Sequence, residues 1–275
     1  MKKLLVVVSM YMISLTAQAT LLEAVQQGDT KAVASALSSG ENANQTGEGG
    51  YSALMEASKQ GNIEIVKLLL DNGTKVNKAQ KDGNTALIYA SEKGNTEIVQ
   101  ALLVAGAKVN VINKNGQTSL MFASEKETPD MVKALLDSGA NVNARNIYGG
   151  TALMVAADKG RTDIVKTLLD AGANVNAANK QGYTSLIVAA KNGHIDTVKA
   201  LIAAGANINA AEKTAGWNSL IFASVKGYSD IVKTLILAGA DLNAATKDGM
   251  TALKIAQQKG YADIVTILKA HGATK

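Results

Sequence analysis

The stretch QKDGNTALIYASEKGNTEIVQALLVAGAKVNVI, residues 80–112, contains one complete structural sentence. Lys81-Asp82-Gly83-Asn84 is a turn, with Gly83 supplying the backbone angles that other residues avoid. Thr85 is placed to cap a short helix whose apolar face is Ala86, Leu87, Tyr89 and Ala90, and Gly94 stops it. Asn95 is expected to cap a second helix, with Ile98, Val99, Leu102 and Leu103 on its buried stripe and Gly106 at its end. Val109-Asn110 then leads toward the next turn.

The sentence repeats. The turn glycine recurs as Gly50, Gly83, Gly116, Gly149, Gly182, Gly216 and Gly249, at intervals of 33, 33, 33, 33, 34 and 33 residues. The helix-ending glycines recur in step, except at Glu127, where Glu127-Thr128-Pro129-Asp130 stands instead. There Thr128 is expected to act as cap, and Pro129, the only proline, falls at the first helical position, where a missing N–H matters little. A fixed period of this size means one supersecondary unit stacked on copies of itself, an extended binding surface rather than a closed catalytic pocket.

The recurring Gly-x-Thr-Ala/Ser-Leu (Gly83-Asn84-Thr85-Ala86-Leu87) and Gly-Ala-x-Val/Ile-Asn (Gly172-Ala173-Asn174-Val175-Asn176) carry a family resemblance. The chain resembles an ankyrin-repeat protein over residues 20–275, and in particular secreted or periplasmic bacterial members of that family. The family's usual T-P-L-H reads Thr-Ala-Leu-Met or Thr-Ser-Leu-Ile here. The resemblance implies an all-α solenoid of eight stacked helix pairs joined by hairpin fingers, with a concave face. Residues 20–49 are expected to form an N-terminal cap repeat, 50–248 six internal repeats and 249–275 a C-terminal cap repeat. Glu23, Gln26, Gln27, Lys254, Gln257 and Gln258 put polar groups where end repeats lack a neighbour, so the array is expected to be complete.

Residues 1–19 stand outside the array. Lys2 and Lys3, a mostly apolar run from Leu4 to Leu15 and Ala17-Gln18-Ala19 have the layout of a secretory signal peptide, too short for a comfortable membrane span. A retained N-terminal anchor is the alternative. The expected location is periplasmic or secreted, with no membrane span after cleavage. The chain has no cysteine, which rules out a lipid-anchored form of the signal.

Removing Lys2 and Lys3 lowers the net charge from +5 to +3, and only Arg145 and Arg161 are arginines. That argues against a nucleic-acid reader, which is richer in arginine. The two histidines, His194 and His271, read as structural, and Asp163, Asp196, Asp230 and Asp263 recur in the first turn of second helices, where acids suit the helix dipole. No catalytic residues, no metal site and no cofactor are therefore expected.

What remains is recognition. In the family, partners touch the finger tips and the outer ends of the first helices. Each of the seven repeats has a lysine near its first-helix end, among them Lys93, Lys126, Lys159, Lys191 and Lys226, and further lysines occupy the fingers. Two readings stand: a stripe attracting an acidic protein, or a solvated face neutralised by Glu92, Glu125 and Asp158. Large apolar groups gather in the later repeats: Tyr148, Tyr183, Trp217, Val225 and Met250. These are expected as exposed anchors for a partner protein, while Tyr89, Phe122 and Phe222 are assigned to the core. The function expected is a monomeric protein-interaction module of the cell envelope, a scaffold or an inhibitor or immunity-type protein. The alternatives are a host-directed effector and a glycan-associated structural protein.

Overall fold

The computed structural model describes residues 20–274; the signal-peptide assignment to residues 1–19 lies outside them. The chain forms two compact units, Met1–Lys108 and Val109–Lys275. The described part of the first holds α1 (Leu21–Gln27), α2 (Thr30–Ser38), α3 (Ala53–Gln60), α4 (Ile63–Asp71), α5 (Ala86–Lys93) and α6 (Thr96–Val104). The second holds α7 (Ser119–Ala123), α8 (Pro129–Asp137), α9 (Ala152–Asp158), α10 (Thr162–Asp170), α11 (Ser185–Asn192), α12 (Ile195–Ala203), α13 (Ser219–Lys226), α14 (Ser229–Leu237), α15 (Ala252–Lys259) and α16 (Ala262–Ala270). These are eight helix pairs, and within each unit odd helices pack on odd and even on even.

The odd helices start alike. Thr20, Ser52, Thr85, Thr118, Thr151, Thr184, Asn218 and Thr251 each hold an extended backbone, and each side chain accepts the N–H three residues on, as Thr85 Oγ1 does from Ile88 at 3.3 Å. Small residues follow on their buried side. Ala156, Ala157, Ala189 and Ala190 are fully buried, which lets neighbouring odd helices approach closely.

The even helices start differently, and here the expected caps at Asn95 and Thr128 are corrected. Asp29 and Asn62, with ψ of 92° and 89°, cap their helices at 3.0 and 3.1 Å. From Asn95 onward ψ at this position falls to 72–79°, and no side chain caps. The rotation aims the side chain at the preceding repeat instead. Asn95 Nδ2 donates to the Ser58 carbonyl at 3.0 Å, Arg161 Nε donates to that of Glu125 at 3.2 Å, and His194 Nε2 lies 2.8 Å from that of Asp158. A missing cap costs a helix about 1 kcal/mol; the lateral bond offsets it and fixes the stacking. Among the described residues the buried Thr128 Oγ1 has no partner.

The same position explains the helix-ending glycines. Gly160 and Gly193 have φ of +66° and +83°, and a Cβ there would lie 2.5 Å from His194 Nδ1 or 2.8 Å from Tyr228 Cζ. The glycine is required by its own backbone and by the side chain the next repeat lays over it. At the exceptional Glu127, helix α7 is only five residues long, and the Glu127 carboxylate pairs with the Arg161 guanidinium of the next repeat.

A ladder of asparagines ties the repeats together at their other end. Asn143 Nδ2 donates to the Gly172 carbonyl at 3.1 Å, and its Oδ1 accepts from Asn174 N–H at 2.8 Å. Asn44 and Asn77 do the same in the first unit, Asn110 and Asn176 in the second. The side-chain amide thus acts as an extra peptide group between strands of loop. Asn143→Asp keeps the acceptor but sets a carboxylate oxygen against a carbonyl. It is expected to cost about 1–2 kcal/mol at neutral pH, read as a lowered melting temperature. The deficit relative to wild type should shrink at pH 3, where a protonated carboxyl can donate again. An unchanged melting temperature at neutral pH would mean the ladder contributes nothing.

Candidate functional site

In the second unit each finger turns under the control of one side chain near its base, Asn113, Asn146, Asn179, Glu212 or Thr246. Asn146 Oδ1 accepts the N–H groups of Tyr148 and Gly150 at 3.0 and 2.9 Å, and Asn179 Oδ1 accepts that of Tyr183 at 2.9 Å. The finger before Gly216 is one residue longer. Its closing bond, Glu212 N–H to the Trp217 carbonyl at 3.0 Å, spans five residues, whereas Asn179 to Tyr183 spans four. Glu212 has one more methylene than asparagine, and its carboxylate reaches three amides of the enlarged loop: Thr214 at 2.7 Å, Ala215 at 2.6 Å and Trp217 at 3.1 Å. The residue is buried. Burial pushes its pKa up, but the amides of Trp217, Ala215 and Thr214 outweigh burial and hold it below the ordinary carboxylate value.

That loop forms one wall of a groove of 400 Å³, lined by Gln181, Tyr183, Glu212, Thr214, Trp217 and Phe222. The ring of Phe222, in the middle of α13, is its floor. The centroids of Trp217 and Phe222 are 5.0 Å apart and those of Tyr183 and Phe222 are 6.0 Å apart. Lys191, in the last turn of α11, holds its ammonium 5.3 Å from the Tyr183 centroid and 5.6 Å from that of Phe222, a cation–π arrangement. Burial, and behind it the charge of Glu212, pushes the Tyr183 phenol above its ordinary value, so it stays neutral at physiological pH.

The expected anchors therefore sort into groups. Tyr148 is exposed at 61%. Tyr183 and Trp217 are half-buried rather than free, because each leans on Phe222. Val225 and Met250 are half-buried, and Lys226 is exposed. Assigning Phe222 to the core alone missed its part in the groove, and Tyr89 and Phe122 are half-buried rather than buried. Ile147, 44% exposed beside Tyr148, was also missed. Its signal was legible, since Lys81, Lys114, Lys180 and Lys247 occupy the corresponding position two residues before the turn glycine.

The lysines also divide. Lys159 is paired with Glu125 at 3.5 Å and Asp158 at 3.7 Å, so at this repeat the neutralised reading holds. Among the described residues no ion pair joins Lys126, Lys191 or Lys226 to a carboxylate. Lys93 is exposed and belongs to the first unit, apart from the other nine candidates.

Both histidines and three of the four recurring aspartates have structural partners. The His194 imidazole lies over Gly160, and His271 Nδ1 sits 2.8 Å from the Ile267 carbonyl at the end of its own helix. Asp163 and Asp196 pair with Lys166 and Lys199 on their own helices at 3.7 and 3.8 Å. Asp263 accepts from the Ser229 hydroxyl, which, with the Ile264 amide, holds it below its ordinary value. Among the described residues no group of three or more His, Cys, Asp or Glu could hold a metal ion, and no helix is long and apolar enough to cross a membrane.

Comparison with known proteins agrees with this architecture. A family model described as "Ankyrin repeats (3 copies)" matches residues 21–113, 97–179, 120–212 and 186–275. The crystal structure of the human ASB11 ankyrin repeat domain is similar, with a TM-score of 0.73 and 26% identity over 82% of this chain and 99% of that one. No curated protein matches.

Proposed function

The chain belongs to the ankyrin-repeat family, and from that premise we propose that it holds a partner protein through the finger tips and odd-helix ends of its second unit. Ankyrin repeats mediate protein–protein interaction and are not catalytic. The observation that supports this site is the Tyr183–Trp217–Phe222 groove, apolar on its floor and rimmed by the unpaired cation of Lys191. Partly buried aromatic rings beside a cation are the composition of interface hot spots. The exposed Ile147–Tyr148 tip lies close by, since Lys180 N–H bonds the Tyr148 carbonyl at 2.9 Å and Gln181 lines the groove.

The wider setting is part of the same proposal. Residues 1–19 act as a secretory signal, and the cap-flanked array works as a monomer in the periplasm or outside the cell. There it supports or restrains an envelope enzyme. It binds no nucleic acid and no cofactor.

The test is capture from the native cell envelope with the secreted chain as bait. The controls are Lys191→Glu, an exposed change that leaves the fold intact, and Tyr183→Ala/Trp217→Ala. Both variants should lose one protein that the wild type retains. Retention by both would remove the groove from the interface. The double variant should also melt lower, because its rings stack on Phe222; Lys191→Glu should not.

A further inference from the structure

The groove has a counterpart in the first unit. Counting from each turn glycine, the next residue is tyrosine only at Tyr51 and Tyr183, and the ninth residue is lysine only at Lys59 and Lys191. The ninth residue is acidic in the three repeats between, at Glu92, Glu125 and Asp158. In both cases the following repeat supplies an aromatic ring at its sixth position, Tyr89 or Phe222. The three-part coincidence thus occurs twice, four repeats apart.

The geometry repeats with the sequence. Tyr51 and Tyr89 meet edge to face with centroids 5.7 Å apart, and Tyr183 and Phe222 meet at a similar 6.0 Å, though tilted by 39°. Lys59 Nζ stands 6.0 Å from both ring centroids, as Lys191 stands 5.3 and 5.6 Å from its two. Lys59 is exposed, and among the described residues it makes no ion pair. Each ammonium is therefore held over rings with its donors unspent on carboxylates.

We propose that Tyr51–Tyr89–Lys59 is a second docking clamp of the same kind as Tyr183–Phe222–Lys191, and that each clamp takes an acidic peptide segment. A carboxylate of the segment meets the lysine, and a neighbouring apolar side chain lies on the rings. Charge favours this occupant most at the second unit, where Lys180, Lys213 and Lys226 are exposed and make no ion pair among the described residues, and the groove's carboxylate, Glu212, is consumed by backbone amides. The first clamp lacks a counterpart of Trp217, having Asn84 there, and Glu56, Glu92 and Asp82 act on its tyrosines. It is the weaker of the two.

The proposal rests on the protein-binding reading above, and two readouts separate its failure from that of the reading. Peptides are selected from a random library on the full chain, and the best is titrated by calorimetry and by fluorescence of Trp217, the only tryptophan. The selected peptides should pair an acid with an apolar residue, calorimetry should count two sites, and the fluorescence should follow only the tighter one. Lys191→Glu should weaken the fluorescent site about tenfold, and Lys59→Glu the silent one by a similar factor. A single site abolished by Lys191→Glu would overturn the second clamp and leave the protein-binding reading intact. Selected peptides without carboxylates, or no selected peptide at all, would overturn the acidic occupant.

Discussion

Gly160→Ala is expected to destabilise the second unit by about 3 kcal/mol, because two penalties meet at one methyl group. At φ +66° a Cβ costs roughly 1–2 kcal/mol through contact with its own backbone. The methyl would also sit 2.5–2.9 Å from three atoms of the His194 ring. That ring cannot swing aside without losing its contact with the Asp158 carbonyl, so overpacking adds about 1–3 kcal/mol. Gly172→Ala is the internal control. Its φ of +83° carries the first penalty, but nothing lies within 4 Å of the added carbon. In a His194→Ala background the Gly160→Ala deficit should fall to that of Gly172→Ala. Denaturant unfolding of the four variants measures the coupling, and equal losses at Gly160 and Gly172 would show that the imidazole imposes nothing.

Glu212→Ala should cost a similar amount, about 3 kcal/mol at pH 7. It removes a buried carboxylate accepting three backbone amides, whose hydrogen bonds contribute about 1.5–3 kcal/mol each, less the cost of burying the charge. Glu212→Gln keeps the reach and loses the charge, so its loss should be about half as large. The pH dependence has a definite sign. The folded-state pKa is depressed from the ordinary 4.5, so the stabilisation is fully present above that value and disappears as pH falls through the lower folded-state pKa. The gap between wild type and Glu212→Gln should therefore be constant near neutrality and narrow below about pH 4.5. A gap that widens on acidification would mean the carboxylate is not what holds the loop. The same substitutions should loosen the wall of the groove and weaken capture of a partner.

How far these features were legible depends on the distance over which their causes act. The period of the turn glycines and the Thr85-type caps are local, and the helix pairs follow from them. Both departures from the period, Glu127 and the single 34-residue interval, were visible as departures. Their remedies were not. Arg161 answers Glu127 from the next repeat, and Glu212 works through an arm one methylene longer than asparagine's. The failure of Asn95 and Thr128 to cap turns on changes in ψ of 11° and 16° from Asn62, which composition does not encode. Tyr183 and Trp217 stood out by type. Their stacking on Phe222 depends on which ring the adjoining repeat presents, so they emerge as half-buried walls of a groove rather than free anchors.

The asparagine ladder carries a consequence for how such a chain changes length over generations. Its rungs join a residue to partners 29 and 31 positions further on, and the rung leaving Asn209 to one 32 positions on. A duplication or deletion of one whole repeat hands every donor an equivalent acceptor, so recombination can lengthen or shorten the array without inventing a new contact. A frame error of any other size must be absorbed within the loop it falls in. The chain preserves one such error, the extra residue before Gly216, and Glu212 is the scar that closes it.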